Sequence, residues 1–135
     1  MKLEIVGQLK YNQKESEWQG SVRDFSNDNL IELRIGVSDA TESLERKMEL
    51  IDDFFNNYEN IMETLHGFIF ERYLLTKFSK PLEQIRAMYF LSGVYLKTDS
   101  TNWWIVLEPH FSVESIYDHF LRFTLVDGRI IWSNI

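Results

Sequence analysis

The sequence predicts an α+β fold: an antiparallel sheet of about six or seven strands packed against one long helix and one shorter helix, as a single α+β domain over residues 1–135. Three observations carry this expectation. Between Thr41 and Leu75, apolar residues fall at Leu44, Met48, Ile51, Phe55, Tyr58, Met62, Leu65 and Ile69, in steps of four and three that line one helix face. Phe54, Ile61 and Phe68 widen that stripe, so it needs a large surface to bury against. On either side lie short apolar or alternating runs joined by short polar turns, and short connections join antiparallel neighbours.

In chain order, Leu3, Ile5, Val6 and Leu9 predict a strand over 2–11, and a polar turn follows at 12–16. A second strand covers 18–22, where Gly20 marks a bulge or a close backbone approach. Ser26-Asn27-Asp28-Asn29 is a turn. A third strand over 30–37 puts Ile31, Leu33 and Ile35 on a core face and Glu32 and Arg34 on a wet one. Asp39 and Glu42 resemble a capping box for the long helix. Gly67 costs that helix about 1 kcal/mol relative to alanine and marks where it bends or breaks. Ser79 and Pro81 open the shorter helix, whose apolar face is Leu82, Ile85, Met88 and Tyr89, and Ser92-Gly93 ends it. Strands are then expected over 94–96 and 103–107, with a loop at 98–102, and over 119–126 and 129–132 about the Asp127-Gly128 turn. The stretch 112–117 is ambiguous, a short helical turn capped by Ser112 being one reading.

Composition narrows the function classes. With 44% hydrophobic residues, the chain can bury a core without metal or disulfide. It has no cysteine, which excludes disulfides, thiolate nucleophiles and cysteine-held metals and suits a reducing cytosol. The first residues do not read as a secretory signal, and no apolar run approaches the ~20 residues of a membrane span, so a cytoplasmic location is expected. A net charge of −7 disfavours nucleic acid and membrane as partners and leaves a basic protein partner; the same charge also serves solubility.

Catalytic patterns are sparse. His110, Glu114, Asp118 and His119 are metal-ligand types close in sequence, the basis for an alternative reading as a small metal-dependent hydrolase. They lack HxH or HxxxH spacing, His110 falls in a loop, and a hydrogen-bonded His119 at a strand entrance with Asp118 as neighbour explains them better. His66, at the polar edge of the helical stripe, is expected to be solvated. There is no Gly-x-Ser-x-Gly elbow and no clustered glycines for phosphate. Asp52 and Asp53, adjacent on a helix, diverge by ~100° and do not share a proton. No catalytic residue, metal site or cofactor is expected, and the chain is read as a non-enzyme. A small-ligand module with aromatics lining a cleft is a further alternative.

The partner-binding candidates are Glu45, Glu49, Asp52, Glu59 and Glu63, an acidic row beside the apolar stripe, with Trp103 and Trp104. Like charges four residues apart, as in Glu45/Glu49 and Glu59/Glu63, mildly destabilise a helix. A solvated face tolerates them; a basic partner explains them better. Neighbouring strand residues point to opposite faces, so one of the two tryptophans enters the core, and the other is covered or anchors an interface.

The run Tyr117-Asp118-His119-Phe120-Leu121-Arg122-Phe123-Thr124-Leu125-Val126-Asp127-Gly128-Arg129-Ile130 resembles the closing hairpin of a group of small bacterial domains of unknown function. Trp18-Gln19-Gly20 in the second strand, ahead of a long helix, matches their layout. Several of those domains look like immunity proteins of polymorphic or contact-dependent toxin systems. The resemblance brings no catalytic residues. It implies a protein that binds and neutralises a cognate toxin, a basic nuclease domain being the partner that an acidic chain suits.

Overall fold

The computed structural model describes residues 3–24, 29–110 and 120–135. Among these it forms one seven-stranded sheet and three helices: β1 (Leu3–Asn12), β2 (Glu17–Asp24), β3 (Asn29–Gly36), α1 (Glu45–Asn56), α2 (Tyr58–Tyr73), α3 (Leu82–Met88), β4 (Tyr89–Leu96), β5 (Asn102–Pro109), β6 (Leu121–Val126) and β7 (Arg129–Ser133). The strands lie side by side in chain order. The class is α+β with a mostly antiparallel sheet. The exception is β3 with β4, which pair in parallel through Glu32↔Gly93 to Ile35↔Leu96. The three helices supply the long crossover that a parallel pair needs.

Three helices replace the one long and one shorter helix expected. The long stripe breaks at Asn57 (φ −103, ψ 18), whose N–H is shared between the Asp53 and Phe54 carbonyls. Asn56 and Asn57 are weak helix formers and leave the helix at low cost. Gly67, the expected weak point, runs inside α2. The break re-phases the stripe: α1 buries Lys47, Ile51 and Phe54, while Phe55 is only half-buried. In α2, Tyr58, Met62, Leu65, His66, Ile69 and Tyr73 are buried.

Several boundaries also move. The Asp39 and Glu42 side chains close the loop ahead of α1 instead of capping it: Asp39 Oδ1 accepts the Thr41 N–H at 2.8 Å and Glu42 Oε1 the Ser38 N–H at 3.3 Å. Ser79 caps nothing at α3, whose N-cap position is Pro81. Ser92-Gly93 does not end a helix. It lies within β4 at a bulge against β5, because extended geometry already begins at Tyr89, ahead of the β-favouring Phe90. The stretch 112–117 and most of the 26–29 turn lie outside the described residues.

The helices cover one face of the sheet. Val22, Ile31, Leu33, Ile35, Val94, Leu96, Ile105, Leu107, Leu121, Phe123 and Leu125 are buried beneath them. Phe54 of α1 stacks on Trp103 of β5 at 4.7 Å between centroids, and Phe68 of α2 meets Phe123 of β6 edge-on at 5.8 Å. Polar groups pin the same interface. The buried Asp24 carboxylate at the end of β2 is bonded to Tyr58 at the start of α2; burial first, and then that charge, push the phenol up to about 12. His66 is buried, not solvated as expected, with Nε2 3.4 Å from the Tyr89 carbonyl oxygen.

Candidate functional site

The helical layer presents the acidic row to solvent. Glu45, Glu49, Asp52, Glu59 and Glu63 are all exposed. Glu49 pairs with Arg46 at 3.1 Å and Glu63 with Arg86 of α3 at 2.5 Å. Glu45, Asp52 and Glu59 have no ion-pair partner among the described residues. The three helices carry Glu45, Glu49, Asp52, Asp53, Glu59, Glu63, Glu71 and Glu83 against Arg46, Lys47, Arg72 and Arg86, and Lys47 is buried. The layer is therefore acidic at its surface.

The sheet sends the two tryptophans to opposite sides. Trp103 shares the phase of Ile105 and turns under α1; Trp104 shares the phase of Val106 and faces away from the helices. Trp104 therefore cannot act together with the acidic row. Trp103 can, because it lines a dent of about 230 Å³ with Leu50, Phe54, Asn57, Ile61 and the exposed Asp53. Sequence reasoning passed over Asp53 because it lies off the acidic row. Only the contact of α1 with β5 brings it to the dent.

The opposite face of the sheet is open: among the described residues no helix lies on it. Strand register places Lys10, Gln19, Arg34, Tyr95, Trp104, Thr124 and Trp132 side by side, one from each strand. Trp104 is 49% exposed and Trp132 53%. A groove of about 280 Å³ runs between Glu32, Arg34, Tyr95, Trp104 and Arg122, and Gly93 in its floor gives it depth. A second, of about 310 Å³, runs between Trp104 and Trp132 over Thr124 and Arg122.

Charge on this face is arranged in pairs at one end and left unpaired at the other. The buried Glu17 carboxylate accepts from Gln19 Nε2 at 2.7 Å and forms an ion pair with Arg34 at 3.4 Å, and Arg34 also bonds Glu32. The Tyr95 phenol is pushed up to about 12, by burial and then by its hydrogen bond to Glu17. Lys97 Nζ lies 3.6 Å from the Trp104 ring centroid and 4.7 Å from that of Tyr95. Arg122, shared by both grooves, has no carboxylate in ion-pair range among the described residues.

Comparison with known protein families, with curated proteins and with solved structures finds no match to this chain. What its surfaces can bind follows from their own chemistry. Among the described residues no cluster of three His, Asp or Glu is close enough to hold a metal ion. The His110 ring packs against Phe90 at 4.6 Å, while Glu114, Asp118 and His119 lie outside the described residues. Among the described residues no helix is long and apolar enough to cross a membrane.

Proposed function

We propose that the chain is a non-enzymatic protein-binding domain that masks a basic partner, and, as its resemblance to immunity proteins implies, that this partner is a cognate bacterial toxin such as a nuclease domain. The reading rests on the dent under α1. Its floor is the stacked pair Phe54 and Trp103, and the carboxylate of Asp53 stands at its rim. A lysine or arginine entering there lays its aliphatic stem on the aromatic floor and its charge beside Asp53. The exposed acids Glu45, Glu49, Asp52, Glu59 and Glu63 extend the same negative field along α1 and α2 and steer such a partner inward.

The experiment takes as its probe a basic nuclease toxin domain, sought first among the genes adjoining this one, with binding followed by surface plasmon resonance over a salt series. Replacing Glu45, Glu49 and Asp52 together by lysine is expected to slow association about tenfold at low salt and to flatten its salt dependence. Asp53→Lys is expected to speed dissociation, since it sets a cation against the one that the dent receives. Kinetics unchanged in both variants would leave the helical acids a solvated surface.

A further inference from the structure

We infer that the open face of the sheet, between β4 and β7, is a second docking surface, and that it takes an extended acidic segment of a protein. Its chemistry is opposite to that of the helical layer. Both grooves converge on Arg122, which is exposed and has no carboxylate among the described residues, and Lys97 lies over Trp104 beside them. The side chains around the Trp104–Trp132 groove are rich in donors: the Arg122 guanidinium, the Thr124 hydroxyl and the N–H groups of two indoles that can only donate. A carboxylate brings an acceptor-only group to this donor-rich groove and suits the planar fork of an arginine. The exposed faces of Trp104 and Trp132, with Val106 in the floor, take apolar side chains next to it.

The strand geometry favours an extended segment. Trp104 and Trp132 stand on β5 and β7 with β6 between them, so their backbones are ~10 Å apart, and alternate side chains of a crossing extended chain, ~7 Å apart on one face, fit between the two indoles. Along the outer side of β7 no strand is paired among the described residues, and Ile131 there is 60% exposed. A segment that crosses the face from β5 reaches this edge, where the outer main-chain groups of β7 can bond its continuation. Single-stranded nucleic acid would also stack on the indoles. It is disfavoured because a phosphate at every nucleotide sets charge against Glu32 in the first groove as well as at Arg122, on a chain of net charge −7, whereas a protein segment can place a single carboxylate at Arg122.

The test uses the full chain and a fluorescein-labelled synthetic glutamate-leucine peptide in which serine occupies every second position and leucine and glutamate take turns between, so that both reach one face of the extended chain, followed by fluorescence anisotropy. A lysine-leucine peptide and a labelled oligouridylate serve as comparison probes. The glutamate-leucine peptide is expected to bind saturably, to shift the Trp104 and Trp132 indole N–H signals in NMR spectra, and to weaken about tenfold in Arg122→Glu. Trp104→Ala combined with Trp132→Ala is expected to weaken it similarly, with far-ultraviolet circular dichroism unchanged. Asp53→Lys, on the helical side, should leave it unaffected, which keeps this outcome separate from that of the proposed basic partner. The inference is overturned if the acidic peptide does not bind, if either comparison probe binds as tightly, or if Arg122→Glu and Arg122→Gln both bind it like the unaltered chain.

Discussion

Lys47 of α1 reaches back to the last residue of β3 and donates from its ammonium to the Gly36 carbonyl at 2.5 Å. The same nitrogen donates to Glu42 at 2.7 Å and to the Thr98 carbonyl, just past β4, at 3.2 Å. At 4% exposure, this cation ties the first turn of the helical layer to the ends of both parallel strands. Lys47→Met strands two carbonyls without that donor and is expected to cost roughly 1–3 kcal/mol in equilibrium denaturation. A loss near zero would mean that water replaces the ammonium at both.

The same contact sets an acid limit. The hydrogen bond from Lys47 holds the Glu42 carboxyl below its ordinary 4.5. A carboxyl lowered by folding stabilises the native state above its unfolded value, and that stability is lost as pH falls from 4.5 through the folded value. Denaturation midpoints measured from pH 6 to pH 3 should therefore fall less steeply in Lys47→Met than in the unaltered chain.

His66 acts in a higher window. Burial lowers its pKa below the ordinary 6.5, ahead of the smaller opposing effect of the Tyr89 carbonyl. The unfolded chain then binds the proton more readily, so stability is complete above 6.5 and declines as pH drops from there towards the folded value. His66→Gln should remove that part of the decline, as read from urea midpoints at pH 8 and pH 5.5.

Two glycines should respond in opposite directions to alanine. A Cβ on Gly36 would stand 2.7 Å from the Thr98 backbone nitrogen, where the parallel strands draw close and backbone cannot yield cheaply. Gly36→Ala is expected to cost roughly 1–3 kcal/mol. Gly67, within α2, has nothing within 4 Å of that position. Gly67→Ala should raise stability by roughly 0.5–1 kcal/mol through helix propensity.

The break at Asn57 makes adjacent phenylalanines unequal. Phe54→Ala removes a buried ring stacked on Trp103 and is expected to cost roughly 3–5 kcal/mol. Phe55→Ala, at a half-buried ring, should cost clearly less. Equal losses would point to an unbroken helix with the stripe read directly from its spacing.

That contrast also shows how far the sequence could be read. The alternation of Ile31, Leu33 and Ile35 with Glu32 and Arg34 places each residue on its observed face, because strand phase is a local property. Periodicity likewise locates the helical segment. It cannot choose between Gly67 and Asn57 as the breaking point, since Gly67 is held inside α2 by flanking residues that pack on the sheet, including the buried His66. Lys47 reads as a surface cation among acids until the strand ends supply its acceptors. The tryptophan pair could be split between two faces, but assigning Trp103 to the helices required knowing which side they cover. Arg122 and Trp132 meet Trp104 only through the register of β5, β6 and β7, and the chain carries no local signal for that register.

The parallel seam between β3 and β4 also orders assembly in time. Among the described residues, every other strand pairing joins consecutive segments with no helix between them, so the stretches β1–β3 and β4–β7 can each zip up as a meander from local encounters. Closing the seam brings together Glu32 and Gly93 across all three helices, at a loop-closure cost that the meanders do not face. In pulsed hydrogen exchange during refolding, amides within the two meanders are expected to gain protection before those bonded between β3 and β4. The half-formed chain would then carry the inner edges of β3 and β4 raw for a short time, and closure of the seam is what keeps those edges from finding the wrong neighbour.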